Sequence, residues 1–375
     1  MRAIGFPVAI LGREFSVTER NFLISSAWVI GLVGMSQLFF WGGSNLLHQD
    51  LSIGFTAQLG ASTEAAMRYV TLPHYVIGFL FMATAARNRT VGRRALIVGL
   101  LALSGLLCLG YGFLGTGFPN EMISSSTMRF YMSETRTSPL AIFAIFLYFL
   151  VHELRDQAMF YVATNSSGPI ADRPLFDRFV YWLIGLSIGT FATIIWLLLV
   201  LGKLQHFYPP ILPELTGSLR SVIALAPAAF CVLALGVLMR WYAHATGQKI
   251  KKMVDQHGPL MRVFAGVFFW LTLGLALRSG PCLLILFHVV GWYVFTCYKL
   301  KERGQAPPAA EWLTWMRTNL SGFRVLHIGL VLTLIAVGAV WAYVFEGQGP
   351  LWYVLSPAAF YYWTIAHITV SFVPR

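Results

Sequence analysis

The sequence predicts an all-α integral membrane protein, a polytopic bundle of about ten transmembrane helices with both termini in the cytoplasm. Three observations carry that expectation. Of the 375 residues, 57% are apolar and only 11% charged, whereas a soluble domain carries about a quarter charged residues. The apolar residues gather into runs near the roughly 20 residues that a helix needs to cross a bilayer. The basic residues, finally, alternate between the connections that join those runs.

In chain order the expected spans are Phe22 to Trp41, Val70 to Ala86, Ala95 to Phe113, Leu140 to Tyr161 and Phe179 to Leu201. Ser221 to Met239, Val263 to Leu277, Cys282 to Tyr298, Val325 to Phe345 and Trp352 to Val373 follow. No small-residue cleavage site follows the first run, so it is expected to act as a signal anchor. The seventh is short, and Arg278-Ser279-Gly280-Pro281 separates it from the eighth as a tight turn. That pair is either two spans or a helical hairpin that stops short of crossing. The longest connections (Gly42 to Tyr69, Leu114 to Pro139, Lys299 to Arg324) are too short for a soluble domain, so residues 1–375 are expected to form one polytopic domain.

Sorting the basic residues gives the orientation. Of 27 Lys and Arg, the N-terminal tail and every second connection hold 20, among them Arg87, Arg89, Arg93, Arg94, Lys251, Lys252, Lys299, Lys301 and Arg303. Basic connections stay in the cytoplasm. The net charge of +12 is thereby explained by topology, with no nucleic acid; Arg87 to Arg94 or Lys299 to Arg303 as an anionic-lipid or partner patch is the alternative. Membrane lipids are the expected surroundings, and a bacterial inner (plasma) membrane is the expected location. Cys108, Cys231, Cys282 and Cys297 all fall inside apolar runs, which leaves neither a disulfide framework nor a CxxC metal site.

Ionisable residues inside a membrane are costly and by default mark a functional site. Here they are His74, then His152 with Glu153, Arg155 and Asp156, then His288, His327 and His367. Counted from the cytoplasmic ends of their spans at 1.5 Å per residue, His74 lies about 18 Å deep, His152 about 14 Å, His288 about 15 Å and His367 about 9 Å. His327, about 3 Å in, is expected at the interface. Histidines such as His244 and His257 belong to connections.

Imidazoles at similar depth on facing helices can hold iron, zinc or copper and leave positions open for oxygen or water. His74, His152, His288 and His367 are therefore the candidate ligands. Asp156 shares a helical face with His152 and can orient it, take its proton or ligate metal. Glu153, about 100° round the helix, is a second carboxylate for proton transfer. Tyr161 and Trp292 are candidate pocket lining. Absent motifs narrow the field: no HxxxH box of membrane hydroxylases, no HExxH of a zinc protease, no P-loop, no GxSxG, and no lysine within a span for a Schiff base.

Read as strings, the histidine contexts are Leu72-Pro73-His74, Val151-His152 with Asp156 beyond it, Phe287-His288-Val289-Val290-Gly291-Trp292-Tyr293-Val294-Phe295, and Ile365-Ala366-His367-Ile368. In order and flavour they resemble the histidine-bearing helices of the Brp/Blh-like membrane β-carotene dioxygenases. The resemblance implies an all-helical enzyme with one ferrous iron held by histidines, cleaving a polyene with dioxygen. It covers short pieces of four helices. Trp292 stands where the family's third segment has a second histidine, and Gly78 stands near the position of an aspartate.

The expected function is thus a histidine-liganded metal-dependent membrane enzyme, an iron oxygenase acting on an apolar lipid or polyene that enters from the bilayer. Two alternatives come from other classes. A haem b redox protein needs only two imidazoles at equal depth, and a transporter or accessory subunit would use the His152 to Asp156 segment as a proton relay.

Overall fold

The structure is a computed structural model. It describes residues 9–10, 13–46, parts of 63–103, 139–165, 172–200, 217–276, 282–304, 312–344 and 357–371. Nearly all of these are helical: α1 (Val17–Leu46), α2 (Pro139–Thr164), α3 (Arg173–Val200), α4 (Gly217–Ala245), α5 (Ile250–Ala276), α6 (Cys282–Glu302), α7 (Trp312–Thr318), α8 (Leu320–Val344) and α9 (Pro357–Ser371). A further helical stretch covers residues 70–78. Two-residue strands β1 (Ala9–Ile10) and β2 (Arg13–Glu14) pair antiparallel just before α1.

Helix ends follow local chemistry. Ser16 and Glu19 form a capping box at the start of α1: the Glu19 carboxylate accepts from the Ser16 backbone N–H at 3.0 Å, and the Ser16 hydroxyl accepts from the Glu19 N–H at 3.3 Å. Asp172 caps α3 by accepting from the Leu175 N–H at 3.0 Å, and Asn319 caps α8 through the Ser321 N–H at 2.9 Å. After α4 the chain turns through Gly247 at φ 65°, a left-handed conformation that glycine adopts without a Cβ penalty.

Five helices are long and apolar enough to cross a membrane among the described residues: Val17–Leu38, Arg173–Leu197, Leu225–Ala245, Cys282–Glu302 and Leu320–Gly338. They match the expected first, fifth, sixth, eighth and ninth spans. Large apolar side chains stand exposed along them in helical stripes, as in Phe230, Leu233 and Val237 on α4 or Ile328, Leu332 and Ile335 on α8. Such faces belong against lipid. The expected fourth and seventh spans lie in α2 and α5, helices of 26 and 27 residues that are not among the five. The expected tenth overlaps α9, of 15 residues. The second is described over 70–78 and the third only in part, and the turn at 278–281 lies outside the described residues.

The chain divides into two compact units, one of Met1–Phe22 with Leu147–Phe269, the other of Leu23–Phe146 with Trp270–Arg375. In the first, α3 packs on α4, where the Trp196 indole donates to the Ile223 carbonyl at 3.2 Å. Arg262 on α5 donates to Glu19 at 2.6 Å, and Thr18 meets Thr164 of α2 at 2.9 Å. In the second, α8 packs against α6 and α7. Trp270 donates to the Ser26 hydroxyl at 3.2 Å and stacks on Phe287, ring centroids 5.8 Å apart.

Candidate metal centre

Three of the expected ligands converge in the second unit. His74 comes from the stretch 70–78, His288 from the middle of α6 and His367 from α9. Their ligand atoms all lie within 4.8 Å of one another, and the Nε2 atoms of His74 and His367 are 3.1 Å apart. Imidazole nitrogens bound to one ion at about 2.1 Å each stand roughly 3.0–3.5 Å apart. The cluster is thus at or slightly wider than coordination spacing. His74 and His288 are each 1% exposed, so a bound cation would be shielded from bulk water.

The surrounding packing fixes these rings. The Tyr75 hydroxyl meets the Thr364 hydroxyl at 2.8 Å, a strut between residues 70–78 and α9 beside both His74 and His367. The Tyr75 ring lies 5.1 Å from that of His367, tilted by 32°. Gly78 opens the floor: a Cβ there would sit 3.1 Å from His367 Nδ1 and 3.2 Å from its Cε1. Trp292 meets the His74 ring edge-on at 4.5 Å, so this aromatic side chain packs on a candidate ligand.

His152 lies on α2 in the first unit, 1% exposed, with its Nε2 3.8 Å from Asp156 Oδ2. That separation is too long for a direct hydrogen bond. Arg155 Nε approaches the other oxygen of Asp156 at 3.9 Å. Glu153 is fully buried and accepts from Gln157 one turn along at 2.8 Å.

Tyr161 takes part in a different arrangement in the first unit. Its hydroxyl donates to the Gln256 carbonyl at 3.0 Å and meets His257 Nδ1 at 3.0 Å. With that proton committed to Gln256, the hydroxyl accepts from Nδ1–H, which leaves His257 Nε2 to accept from the Tyr242 hydroxyl at 3.5 Å. Phe176 and Phe179 close over the ring, centroids at 5.2 and 6.2 Å. His257 therefore sits inside α5 rather than in a connection, and burial pulls its pKa down to about 4. His244 likewise ends α4.

His327, expected at the interface, lies within α8 and is 6% exposed. Neither the strut of Tyr75 and Thr364 nor the open floor at Gly78 was singled out in the sequence. Their signals are short-range: Tyr75 adjoins His74, and Thr364 lies three residues before His367, on the same helical face.

No protein-family model, curated protein or solved structure matches the chain.

Proposed function

We propose that the chain is a polytopic membrane enzyme whose His74, His288 and His367 hold a metal ion, first among candidates iron, for oxidation of an apolar lipid or polyene. The observation that supports this most is the convergence of three imidazoles, those of His74 and His288 buried, to within 4.8 Å. Three neutral nitrogen ligands suit iron, zinc or copper and leave coordination positions open. Ferrous iron bound there would supply the redox activation of dioxygen. The protein's part is to orient the imidazoles through Tyr75 and Thr364, admit His367 over Gly78, and exclude water with Trp292. Within the first unit, Asp156 would take the His152 proton on closing the 3.8 Å between them, while Glu153 is a reserve carboxylate. The substrate enters from the bilayer of a bacterial inner membrane, crossed about ten times with both termini in the cytoplasm.

The close approach of His74 and His367 favours a single shared ion over haem b. Their Nε2 atoms, 3.1 Å apart, suit two ligands of one small ion and leave no room for a flat ring system between them.

Metal analysis and an absorption spectrum of the purified protein test the reading. Non-haem iron near one per chain is expected, lost on replacing His74, His288 or His367 by Ala and retained on replacing His48, His206 or His244. His152→Ala reports whether the ligand set extends to α2. A Soret band would replace this reading with the haem protein, and unchanged metal in every cluster variant would make the histidines structural. Polyene chemistry is tested in cells that accumulate β-carotene: bleaching is expected, and Trp292→His should raise it by adding an imidazole beside His74.

A further inference from the structure

One polar side chain in the second unit is left without a use by that chemistry. His327 is buried, and among the described residues neither of its ring nitrogens has a hydrogen-bond partner. The neutral imidazole carries one donor and one acceptor, and burying both without partners costs their full desolvation. A phenylalanine would fill the same space without that cost. Buried polar groups in this state mark places where water or a ligand group belongs.

The surroundings narrow the ligand. The His327 ring is flanked by Tyr293 and Phe323 at 4.8 Å each and by Trp292 at 5.7 Å. Phe323 is fully buried one turn earlier on α8, whereas Ile328 and Leu332 face outward. Trp292 in turn lies 4.5 Å from His74, which sets His327 within roughly 10 Å of that ring, one aromatic layer away. Aromatic faces accept a flat apolar body, and the imidazole asks for a group that donates and accepts without ionising. A hydroxyl does both; a hydrocarbon does neither, and an ether or ester accepts alone.

We propose that His327, within its cage of Trp292, Tyr293 and Phe323, binds the hydroxyl end of an otherwise apolar, unsaturated molecule whose body extends toward His74. That this molecule is the substrate rests on the reading of His74, His288 and His367 as the reaction centre; its binding at His327 does not. The substrate class is thereby a lipid alcohol or hydroxylated polyene rather than a plain hydrocarbon.

The test uses the full chain in lipid nanodiscs, both metal-loaded and stripped with chelator, and two fluorescent probes, diphenylhexatriene and its hydroxymethyl derivative. Saturable binding of the hydroxymethyl probe about tenfold tighter than the hydrocarbon is expected, in both metal states. His327→Phe should abolish that preference while leaving hydrocarbon binding intact, and His327→Gln should keep part of it. Equal binding of the two probes by the wild type overturns the proposal, as does a preference that survives His327→Phe. The wild-type comparison decides by itself should the variant not fold. Absence of metal with the preference intact would count against the metal centre and leave the alcohol subsite standing.

Discussion

Gly78→Ala is a small change with a calculable effect on the histidine cluster. The added Cβ would lie 3.1 Å from His367 Nδ1 and 3.2 Å from Cε1, against about 3.5–4.0 Å for comfortable contact. The ring must therefore retreat by about 0.4 Å or the helix must give. Metal–ligand distances tolerate only about ±0.2 Å, so the His367 nitrogen leaves its coordination range. We expect metal affinity to fall about 10- to 100-fold, comparable with loss of a group that orients a ligand. Overpacking costs about 1–3 kcal/mol, and the better helix propensity of alanine offsets about 1 kcal/mol of it, so Tm should move little. Competitive chelator titration with a thermal melt on the same sample measures both. Gly185→Ala is the control, since nothing lies within 4 Å of a Cβ there. Wild-type affinity in folded Gly78→Ala would refute the close packing of His367 on this helix.

Other perturbations give independent checks. Tyr75→Phe and Thr364→Val should each weaken metal binding and show a coupling of about 1 kcal/mol in a double-mutant cycle of stability, the net worth of one hydrogen bond; strict additivity would mean the strut is not formed. His257 has a folded pKa of about 4 against about 6.5 unfolded, so the unfolded state takes up the proton first as pH falls. Its stabilisation is complete above about pH 6.5 and is lost progressively down to about pH 4, on the order of 2–3 kcal/mol in all. Melts of wild type and His257→Gln across that window should diverge, and parallel curves would refute the buried neutral ring. A reporter fused after Arg375 should work only in the cytoplasm; activity confined to the exterior compartment would reverse the orientation.

Much of the helical framework was legible because hydrophobic burial in lipid demands long uninterrupted runs, which α1, α3, α4, α6 and α8 supply. Depth counting, which rests on a nearly constant helical rise, grouped His74, His152 and His288 and set His367 about a turn below them; within the second unit it is His367 that lies with His74 and His288. What escaped were residues whose placement depends on neighbours distant in sequence. Lys251, Lys252 and Asp255 make the start of α5 look like a connection, yet the helix runs through them and buries His257 against Tyr161 and Tyr242. Arg324 interrupts the apolar run ahead of His327, and an apolar window cannot see that helix geometry continues past a charge. The space over Gly78 exists only once His367, nearly 290 residues later, arrives to fill it.

The candidate spans differ sharply in how much protein covers them: 56% of the residues in the α6 span are buried, against 11% in α4. A helix bathed in lipid tolerates exchange of one aliphatic side chain for another, because the acyl chains reshape around it. A helix enclosed by protein meets fixed neighbours on every side and tolerates few. Saturation mutagenesis read through expression level would therefore draw α4 as a permissive band, closed only to charge, and α6 as a nearly solid barrier. The same contrast sets the engineering freedom of the molecule. Apolar labels and aliphatic exchanges belong on the outer stripe of α4, while changes meant to redirect chemistry must be made on α6 in compensating pairs.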